Sequence, residues 1–229
     1  MNSLSAAELR SRTEAAAEAC LSGALARMVP GGRLRGGFSW KEDFARGELA
    51  GNQALCSAAV LDLSPADLAA SLAREAELPE AFAALTAAGP GFLNFRLSDA
   101  WYDRALDALC APPDAAPDFS AARFPGLDPA LALRQDAASP LYRLRWAYFR
   151  SRSLLEEERA PDCAGNWGEA ERALLLRAVL SDGEGGLFSL ADAFARFYAV
   201  CQIRSAPDKG FRLKLLAAFC RAVERVLRT

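Results

Sequence analysis

The segment of residues 88–98 constrains the fold of this chain more than any other. It reads Ala-Gly-Pro-Gly-Phe-Leu-Asn-Phe-Arg-Leu-Ser. Residues 89–91 favour a sharp turn, because glycine reaches positive φ and proline fixes its own φ. Residues 92–97 then alternate, which predicts a strand whose even-numbered side chains share one face and whose odd-numbered side chains share the other. We expect residues 82–87 to form the strand that pairs with it, and Ser98 to cap a following helix.

The rest of the first half predicts a small α+β domain. A helix is expected from about Ser5 to Arg27, ended by Pro30-Gly31-Gly32, and a short strand is expected over residues 36–41. Ser64 and Pro65 favour the start of another helix, because serine caps and proline suits the first turn. The resulting order of helix, strand, two helices, two strands and helix suits an α+β layer.

Two segments in this half resemble the N-terminal additional domain of arginyl-tRNA synthetases. Residues 88–97 closely follow that domain's usual Ala-Gly-Pro-Gly-Phe-Ile-Asn-Phe-Arg-Leu, and residues 47–55 follow its Gly-Asp-Tyr-Gln-Ser-Asn-Ala-Ala-Leu. The resemblance implies a contact with the D-loop at the tRNA elbow, and Asn52 keeps the family's asparagine. Leu49 and Ala50 replace the tyrosine and glutamine, and neither can stack on a base or hydrogen-bond to it usefully.

The second half predicts an all-α helical bundle. Residues 112–125 are too rich in proline for a helix or a central strand and are expected to form a linker. Helical spacing follows in residues 127–133, 140–150, 169–180, 187–203 and 211–227. We therefore predict an α+β domain at residues 1–111, a linker at 112–125 and a bundle at 126–229.

This bundle resembles the DALR anticodon-binding domain of arginyl-tRNA synthetases. Family members read Asn-Pro-Val-Phe-Tyr-Val-Gln-Tyr-Ala-His-Ala-Arg, and Pro140, Tyr142, Trp146, Ala147 and Arg150 keep that frame. The spacing of the aromatic residues alone is typical of a core stripe, with the arginines on a solvated face. The resemblance implies instead that some of these side chains contact the anticodon stem and loop, where aromatic rings and arginines hold bases and phosphates.

The candidate RNA-binding residues come from both halves. Tyr198 is either a buried hydroxyl or an anticodon-loop contact, and the basic C-terminal helix is either a phosphate-binding surface or a solvated face. The candidates are Asn52, Tyr142, Arg143, Arg145, Tyr148, Arg150, Arg152, Tyr198, Lys214 and Arg221.

Composition weighs against catalysis and against binding that depends on charge alone. The net charge is −2, with 27 basic and 29 acidic residues, although the basic residues outnumber the acidic ones near the C-terminus. The chain has no histidine, and it lacks the phosphate loop and the signature motifs of a class I synthetase. We predict no catalytic residues, no cofactor and no metal site. The six dispersed cysteines are expected to be reduced core residues.

These features predict a non-catalytic relative of arginyl-tRNA synthetases that binds tRNA through the anticodon arm. An arginine acceptor is one candidate tRNA. The alternative is an adaptor that recruits a synthetase or a tRNA-modifying enzyme without binding RNA itself. The absence of a long apolar run predicts no membrane partner, and a cytoplasmic location is expected.

Overall fold

The fold was analysed in a computed structural model, which describes residues 4–110, 117–158, 163 and 165–228. The chain divides into two compact units, one of residues 7–104 and the other of residues 105–229 together with the first six. The predicted linker at 112–125 lies partly outside the described residues, since its first five fall in the gap at 111–116. Among its described residues, Ala121–Arg123 form a 3-10 turn.

The first unit contains a four-stranded antiparallel sheet and helices, which confirms the predicted α+β class. Its strands lie in the order β1-β2-β4-β3. The bounds are α1 Ala6–Met28, β1 Phe38–Trp40, β2 Leu49–Gly51, α2 Gln53–Ser57, α3 Pro65–Glu75, β3 Phe82–Ala88, β4 Phe92–Leu97 and α4 Asp99–Leu109, whose residues 105–109 belong to the second unit. The pairing of β3 with β4 and the helix after Ser98 were both predicted. Strand β2 was not, and it pairs with both β1 and β4.

Alternation along β4 builds the core of this unit. Leu93, Phe95 and Leu97 are almost completely buried, whereas Phe92 is 38% exposed. Burying the odd-numbered face contributes most of the strand's stabilisation, because apolar area leaves water there. The opposite face is left to carry polar and aromatic side chains, as the sequence predicted.

A buried carboxylate joins β2 to the end of β4 and to α4. Glu48 is 1% exposed; its Oε2 accepts a hydrogen bond from the Leu97 backbone N–H at 2.9 Å, and its Oε1 accepts one from the Tyr102 hydroxyl at 2.8 Å. A buried charge is tolerated when donors satisfy it in this way. Glu48 therefore has a structural role.

The turn between β3 and β4 offers a matched pair of glycines for a stability test. Gly91 has φ +131°, and a Cβ there would lie 2.8 Å from the Pro65 Cβ; Gly89 has φ +51°, and a Cβ there would meet no atom of the described residues within 4 Å. We expect Gly91→Ala to lower the free energy of unfolding by about 2–3 kcal/mol, and Gly89→Ala by about 1–2 kcal/mol. Denaturant unfolding of both variants measures the difference, and equal losses would contradict the close approach to Pro65.

The second unit is the predicted helical bundle. Its helices are α5 Pro129–Leu133, α6 Pro140–Glu157, α7 Glu169–Leu180, α8 Gly183–Val200 and α9 Lys209–Leu227. Helix α6 begins where the sequence predicts, because the Ser139 hydroxyl accepts a hydrogen bond from the Tyr142 N–H at 3.1 Å and proline takes the first turn. Helix α8 begins four residues earlier than predicted, at Gly183, although its first turn is rich in glycine.

The cysteines differ from one another in burial. Cys20, Cys201 and Cys220 are buried, but Cys56 is exposed, so the prediction that all six cysteines are core residues is wrong.

Within the described residues, no single helix is long and apolar enough to span a membrane. The two consecutive segments Gln53–Leu61 and Pro65–Glu75 are together long and apolar enough, but the chain bends by 112° between them.

Candidate nucleic-acid interface

Helix α6 carries three aromatic side chains that are partly exposed. Tyr142 is 38% exposed, Trp146 43% and Phe149 52%. The Trp146 ring meets the rings of Phe194 and Tyr198 edge to face, with centroids 5.9 and 5.6 Å apart. The core interpretation of this stripe is therefore wrong for Trp146, which rests on the bundle with one side open to solvent. We call Trp146 and Tyr198 the α6–α8 aromatic surface.

The exposure of Trp146 changes what its removal should do to stability. A fully buried tryptophan would cost about 3–5 kcal/mol when replaced by alanine. We expect Trp146→Ala to cost less than about 2 kcal/mol, because nearly half of the side chain is already solvated. Phe194→Ala, at a position with no exposure, is the matched comparison and should cost about 3–5 kcal/mol. Urea unfolding of both variants gives the answer, and similar losses would contradict the half-buried position.

Two of the predicted arginines, Arg143 and Arg150, contact residues of α8, and Arg145 lies on another side of α6. Arg145 is exposed and has no hydrogen bond or ion pair with any residue that the structure describes. Arg143 forms an ion pair with Asp192 at 2.7 Å. The Nε of Arg150 donates a hydrogen bond to the Tyr198 hydroxyl at 2.8 Å, and its guanidinium carbon lies 5.7 Å from the centre of that ring. Tyr198 is thus half-buried and its hydroxyl bonds to a side chain. Of the two interpretations drawn from the sequence, the buried hydroxyl is therefore wrong, and the anticodon-loop contact stays a prediction.

A cavity of about 320 Å³ opens next to Arg150 and Tyr198. Leu154 and Ile203 give it an apolar part, and Gln202, Ser205 and Arg204 give it polar groups. The charge of Arg204 is partly balanced, because this side chain forms an ion pair with Glu157 at 2.6 Å. The α6–α8 aromatic surface and this cavity together can accept a flat ring and an attached anionic group.

Tyr148 must be removed from the candidate contacts. It is 1% exposed, and its hydroxyl donates a hydrogen bond to Glu224 Oε1 at 2.9 Å. Burial first, and then the Glu224 carboxylate, raise the pKa of Tyr148 above its usual range, so the hydroxyl stays protonated as a donor. It faces inward because it follows Leu144 and Leu141 at helical spacing on the buried side of α6.

Arg152 and Arg221 also contact Glu224. Arg152 Nη1 lies 3.9 Å from Glu224 Oε1, and Arg221 Nη1 lies 3.4 Å from Oε2. Both side chains remain about 30% exposed. Lys214, the remaining candidate in this unit, forms an ion pair with Asp107 at 3.5 Å and is 30% exposed. These three side chains therefore form ion pairs within the bundle and are also partly exposed to solvent.

In the first unit, Asn52 fixes a turn. Its Oδ1 accepts a hydrogen bond from the Gly37 N–H at 2.8 Å, and a Cβ on Gly36 would come within 2.4 Å of that oxygen. Its neighbours Leu49 and Ala50 are 0% and 4% exposed, so these positions lie inside the sheet. The geometry gives Asn52 a structural role, and its RNA contact stays a prediction.

The first unit also has a cavity, which the sequence analysis did not identify. It has a volume of about 320 Å³ and lies at the turn that precedes β4. Its lining consists of Lys41, Asp43, Arg46, Gly47, Ala88, Gly89, Phe92 and Asn94. We call it the β4 cavity. Glycine is required on one side of the cavity. Gly47 has φ +134° and lies so close to β4 that a Cβ on it would be 2.6 Å from the Phe95 carbonyl oxygen.

Asn94 is the most informative residue of the β4 cavity. It is 9% exposed, and its side-chain amide has no hydrogen-bond partner among the described residues. Its cross-strand neighbours, Ala50 on β2 and Thr86 on β3, are small and leave the amide open to the cavity. The amide therefore faces the open cavity, where water satisfies it in the free protein and where it could both donate a hydrogen bond to a ligand and accept one from it.

The other lining residues suit a ring that carries phosphate. Phe92 presents a partly exposed aromatic face, and Lys41 and Arg46 present cations. Arg46 lies 4.0 Å from Asp43 and is 81% exposed, which makes that ion pair weak. The alternation of β4 did place Phe92 and Asn94 on one face, but only the structure shows the space beside them. Within the described residues, no group of three or more histidine, cysteine, aspartate or glutamate side chains could hold a metal ion.

Comparisons with known proteins agree with the resemblance stated above. Residues 40–97 match the family model of the arginyl tRNA synthetase N terminal domain, and the β4 cavity lies within this segment. A solved structure of Thermus thermophilus arginyl-tRNA synthetase is similar at 20% identity and a TM-score of 0.35. The match covers 93% of this chain and 35% of that one, so the chain spans about a third of the synthetase's length. The search of curated proteins found no match. The match over residues 40–97 confirms the predicted resemblance to the N-terminal domain of arginyl-tRNA synthetases, and the resemblance of the bundle to the anticodon-binding domain stays a prediction.

Proposed function

We propose that this chain is a synthetase-related protein that binds tRNA and does not charge it. The observation that carries the proposal is the open Asn94 amide in the β4 cavity, inside the segment that matches the synthetase N-terminal domain. An amide can donate to and accept from the edge of a nucleobase, and a base freed from its stack can lie on the Phe92 ring. Unstacked bases occur in tRNA loops, so the tRNA elbow is the expected contact.

The second unit supplies the surface for the anticodon arm. Trp146 and Tyr198 provide partly exposed rings, Arg150 contacts Tyr198, and the exposed Arg145 precedes Trp146 in the chain. Aromatic rings that stack on bases, with arginines near the backbone, are typical of single-stranded RNA recognition. This surface supports a bundle of the DALR anticodon-binding type. A cytoplasmic location, where tRNA is used, is proposed with it.

Nuclease footprinting on a bound tRNA transcript tests both contacts. Protection is expected at the D-loop and at the anticodon loop, and Trp146→Ala should remove only the anticodon protection. Leu78→Ala is the control, because Leu78 is exposed to a similar degree, at 40%, and lies in the first unit. A complex that protects neither loop would contradict the proposal.

Charging activity should be absent. The chain has no histidine, so the imidazoles that stabilise the phosphate during amino-acid activation in a class I synthetase are missing. A clean preparation with arginine, ATP, magnesium and tRNA is expected to form neither arginyl-adenylate nor arginyl-tRNA. Measurement of ATP–pyrophosphate exchange checks this, with an active arginyl-tRNA synthetase as the positive control. Exchange that stays with the protein through several columns would overturn the non-catalytic assignment.

An adaptor that binds another protein is the second candidate. The observation in its favour is the exposure of Phe149, which at 52% is the most open aromatic side chain on α6. Exposed aromatic rings are enriched in protein interfaces as well as in RNA-binding surfaces. The absence of any tRNA footprint, together with normal folding, would favour this function.

A further inference from the structure

Arg204 lies in the cavity beside Tyr198, although the sequence analysis did not name it as a candidate. It belongs to the segment between α8 and α9, and it lines the cavity of about 320 Å³ together with Arg150 and Tyr198. A cavity of this volume is at the lower end of the range for small-ligand pockets, about 300–1,000 Å³, and has room for one nucleotide. Arg204 is therefore a cation in a nucleotide-sized space beside the α6–α8 aromatic surface.

Two carboxylates of the chain bind the guanidinium of Arg204. Its Nη2 donates a hydrogen bond to Glu157 Oε2 at 2.6 Å, and its Nε lies 3.3 Å from Glu158 Oε1. Carboxylates and phosphates bind a guanidinium with the same arrangement of oxygens. A carboxylate on an arginine of this cavity therefore occupies a position that a phosphate can take.

The two carboxylates differ in how firmly they hold Arg204. The side chains of Glu157 and Arg204 are 49% and 58% exposed, so water competes for their ion pair and its net strength is small. Glu158 is only 19% exposed and also forms an ion pair with Lys209, at the start of α9. Glu158 thus keeps Arg204 in place through one nitrogen, whereas the contact of Glu157 with another nitrogen is exchangeable.

Helix α6 fixes the position and the charge of Glu157. Its Oε1 accepts a hydrogen bond from the Ser153 hydroxyl one turn earlier, at 2.5 Å, and its Oε2 meets Arg204. The Ser153 hydroxyl, more than Arg204 and Arg150, holds the pKa of the Glu157 carboxyl below its usual value, so this side chain is negatively charged at neutral pH. Because Arg150 acts on the same carboxyl, Glu157 also screens the second cation of the cavity.

We propose that Arg204 binds a phosphate of the RNA strand whose base contacts the α6–α8 aromatic surface, and that Glu157 is a built-in competitor that this phosphate displaces. The inference rests on the proposed tRNA binding and adds the phosphate contact and the anion that opposes it. Exchange of one anion for another leaves Arg204 with a partner, and the ring contact of the base then favours the RNA.

The competitor gives the surface a preference among polyanions. A ligand that offers charge alone must also displace Glu157, but it gains no contact with the aromatic rings in return. Binding of such ligands is therefore weakened relative to RNA with unstacked bases. This suits a chain with a net charge of −2, which does not bind nucleic acid by overall charge.

Glu157→Gln tests the proposal, because it removes the competing charge and keeps the size of the side chain. One additional phosphate contact steepens the slope of log K against log salt by about 0.7–0.9, so tRNA affinity at about 0.1 M salt should rise about 5–8-fold, and hardly at about 1 M. The matched control is Glu80→Gln, since Glu80 is also exposed, at 74%, and also pairs with an arginine, Arg104, at 2.8 Å. Arg104 lines neither of the two cavities described above, so this variant should keep the wild-type affinity and slope.

A double substitution shows whether Glu157 acts through Arg204. In the Arg204→Gln background, Glu157→Gln should change the affinity by less than about twofold, because the cation that it releases is gone. Melting temperatures of the Glu157 and Glu80 variants should stay close to wild type, since both ion pairs are exposed. Wild-type protein that binds no tRNA would refute the proposed function itself. Normal tRNA binding with an unchanged slope in Glu157→Gln, an equal gain in Glu80→Gln, or a gain that persists without Arg204 would overturn the competitor alone.

Discussion

Replacement of Phe92 and Asn94 by alanine together is expected to weaken tRNA binding by about 2–6 kcal/mol. Stacking of one base on an aromatic ring contributes about 1–3 kcal/mol, and loss of a hydrogen-bond partner for a buried base edge adds about 1–3 kcal/mol. Stability should change little, because Phe92 is 38% exposed and the Asn94 amide has no partner among the described residues. Filter binding of a tRNA transcript, with the melting temperature of each variant, measures both quantities.

Two controls make this result specific to the β4 cavity. Leu78→Ala removes a side chain of similar exposure from the same unit and should leave the affinity unchanged. Asn94→Asp keeps the size of the side chain but replaces the amide donors by a negative charge, so it should weaken binding as well. If the double alanine variant bound tRNA like wild type, the β4 cavity would not be a base-binding site.

Glu48→Ala should have a large effect on stability. The substitution removes the carboxylate that accepts hydrogen bonds from two buried donors, the Leu97 N–H and the Tyr102 hydroxyl. Each unsatisfied donor costs about 1–3 kcal/mol, so the free energy of unfolding should fall by about 2–6 kcal/mol. Denaturant unfolding of the purified variant measures the loss.

Comparison with two milder substitutions identifies the cause. Glu48→Gln keeps an acceptor in place and should cost less than alanine does. Glu77→Ala removes an 87% exposed glutamate that pairs with Arg27, and it should change stability by less than about 0.5 kcal/mol. A loss for Glu48→Ala no larger than that for Glu77→Ala would show that the buried carboxylate does not hold β2 to β4 and α4.

Local signals explain which parts of the fold were predictable. Ser64, Ser98 and Ser139 each accept a hydrogen bond from the N–H three residues on, as serine caps do. The alternation of β4 was equally clear. Strand β2 has no such signal, because Leu-Ala-Gly neither alternates nor favours strands. Its conformation is set by the two strands that pair with it.

The candidate site was only partly predictable, because burial depends on distant residues. Trp146 and Tyr148 lie two positions apart on α6, yet Trp146 is 43% exposed and Tyr148 is 1% exposed. The partner that fixes Tyr148 is Glu224, 76 residues away in the chain. In the same way, the face that carries Asn94 could be read from alternation, but the open space beside it depends on Gly47 and Ala50.

Direct binding of a tRNA transcript is the measurement that tests the central claim. A tRNA transcript and a DNA hairpin of equal length and charge should be titrated with the full chain at several salt concentrations. The account predicts saturable binding to tRNA that weakens as salt rises, and clearly weaker binding to the hairpin, because the β4 cavity and the α6–α8 aromatic surface hold unstacked bases as well as phosphates. Equal affinity for both nucleic acids, or no tRNA binding at low salt, would contradict it.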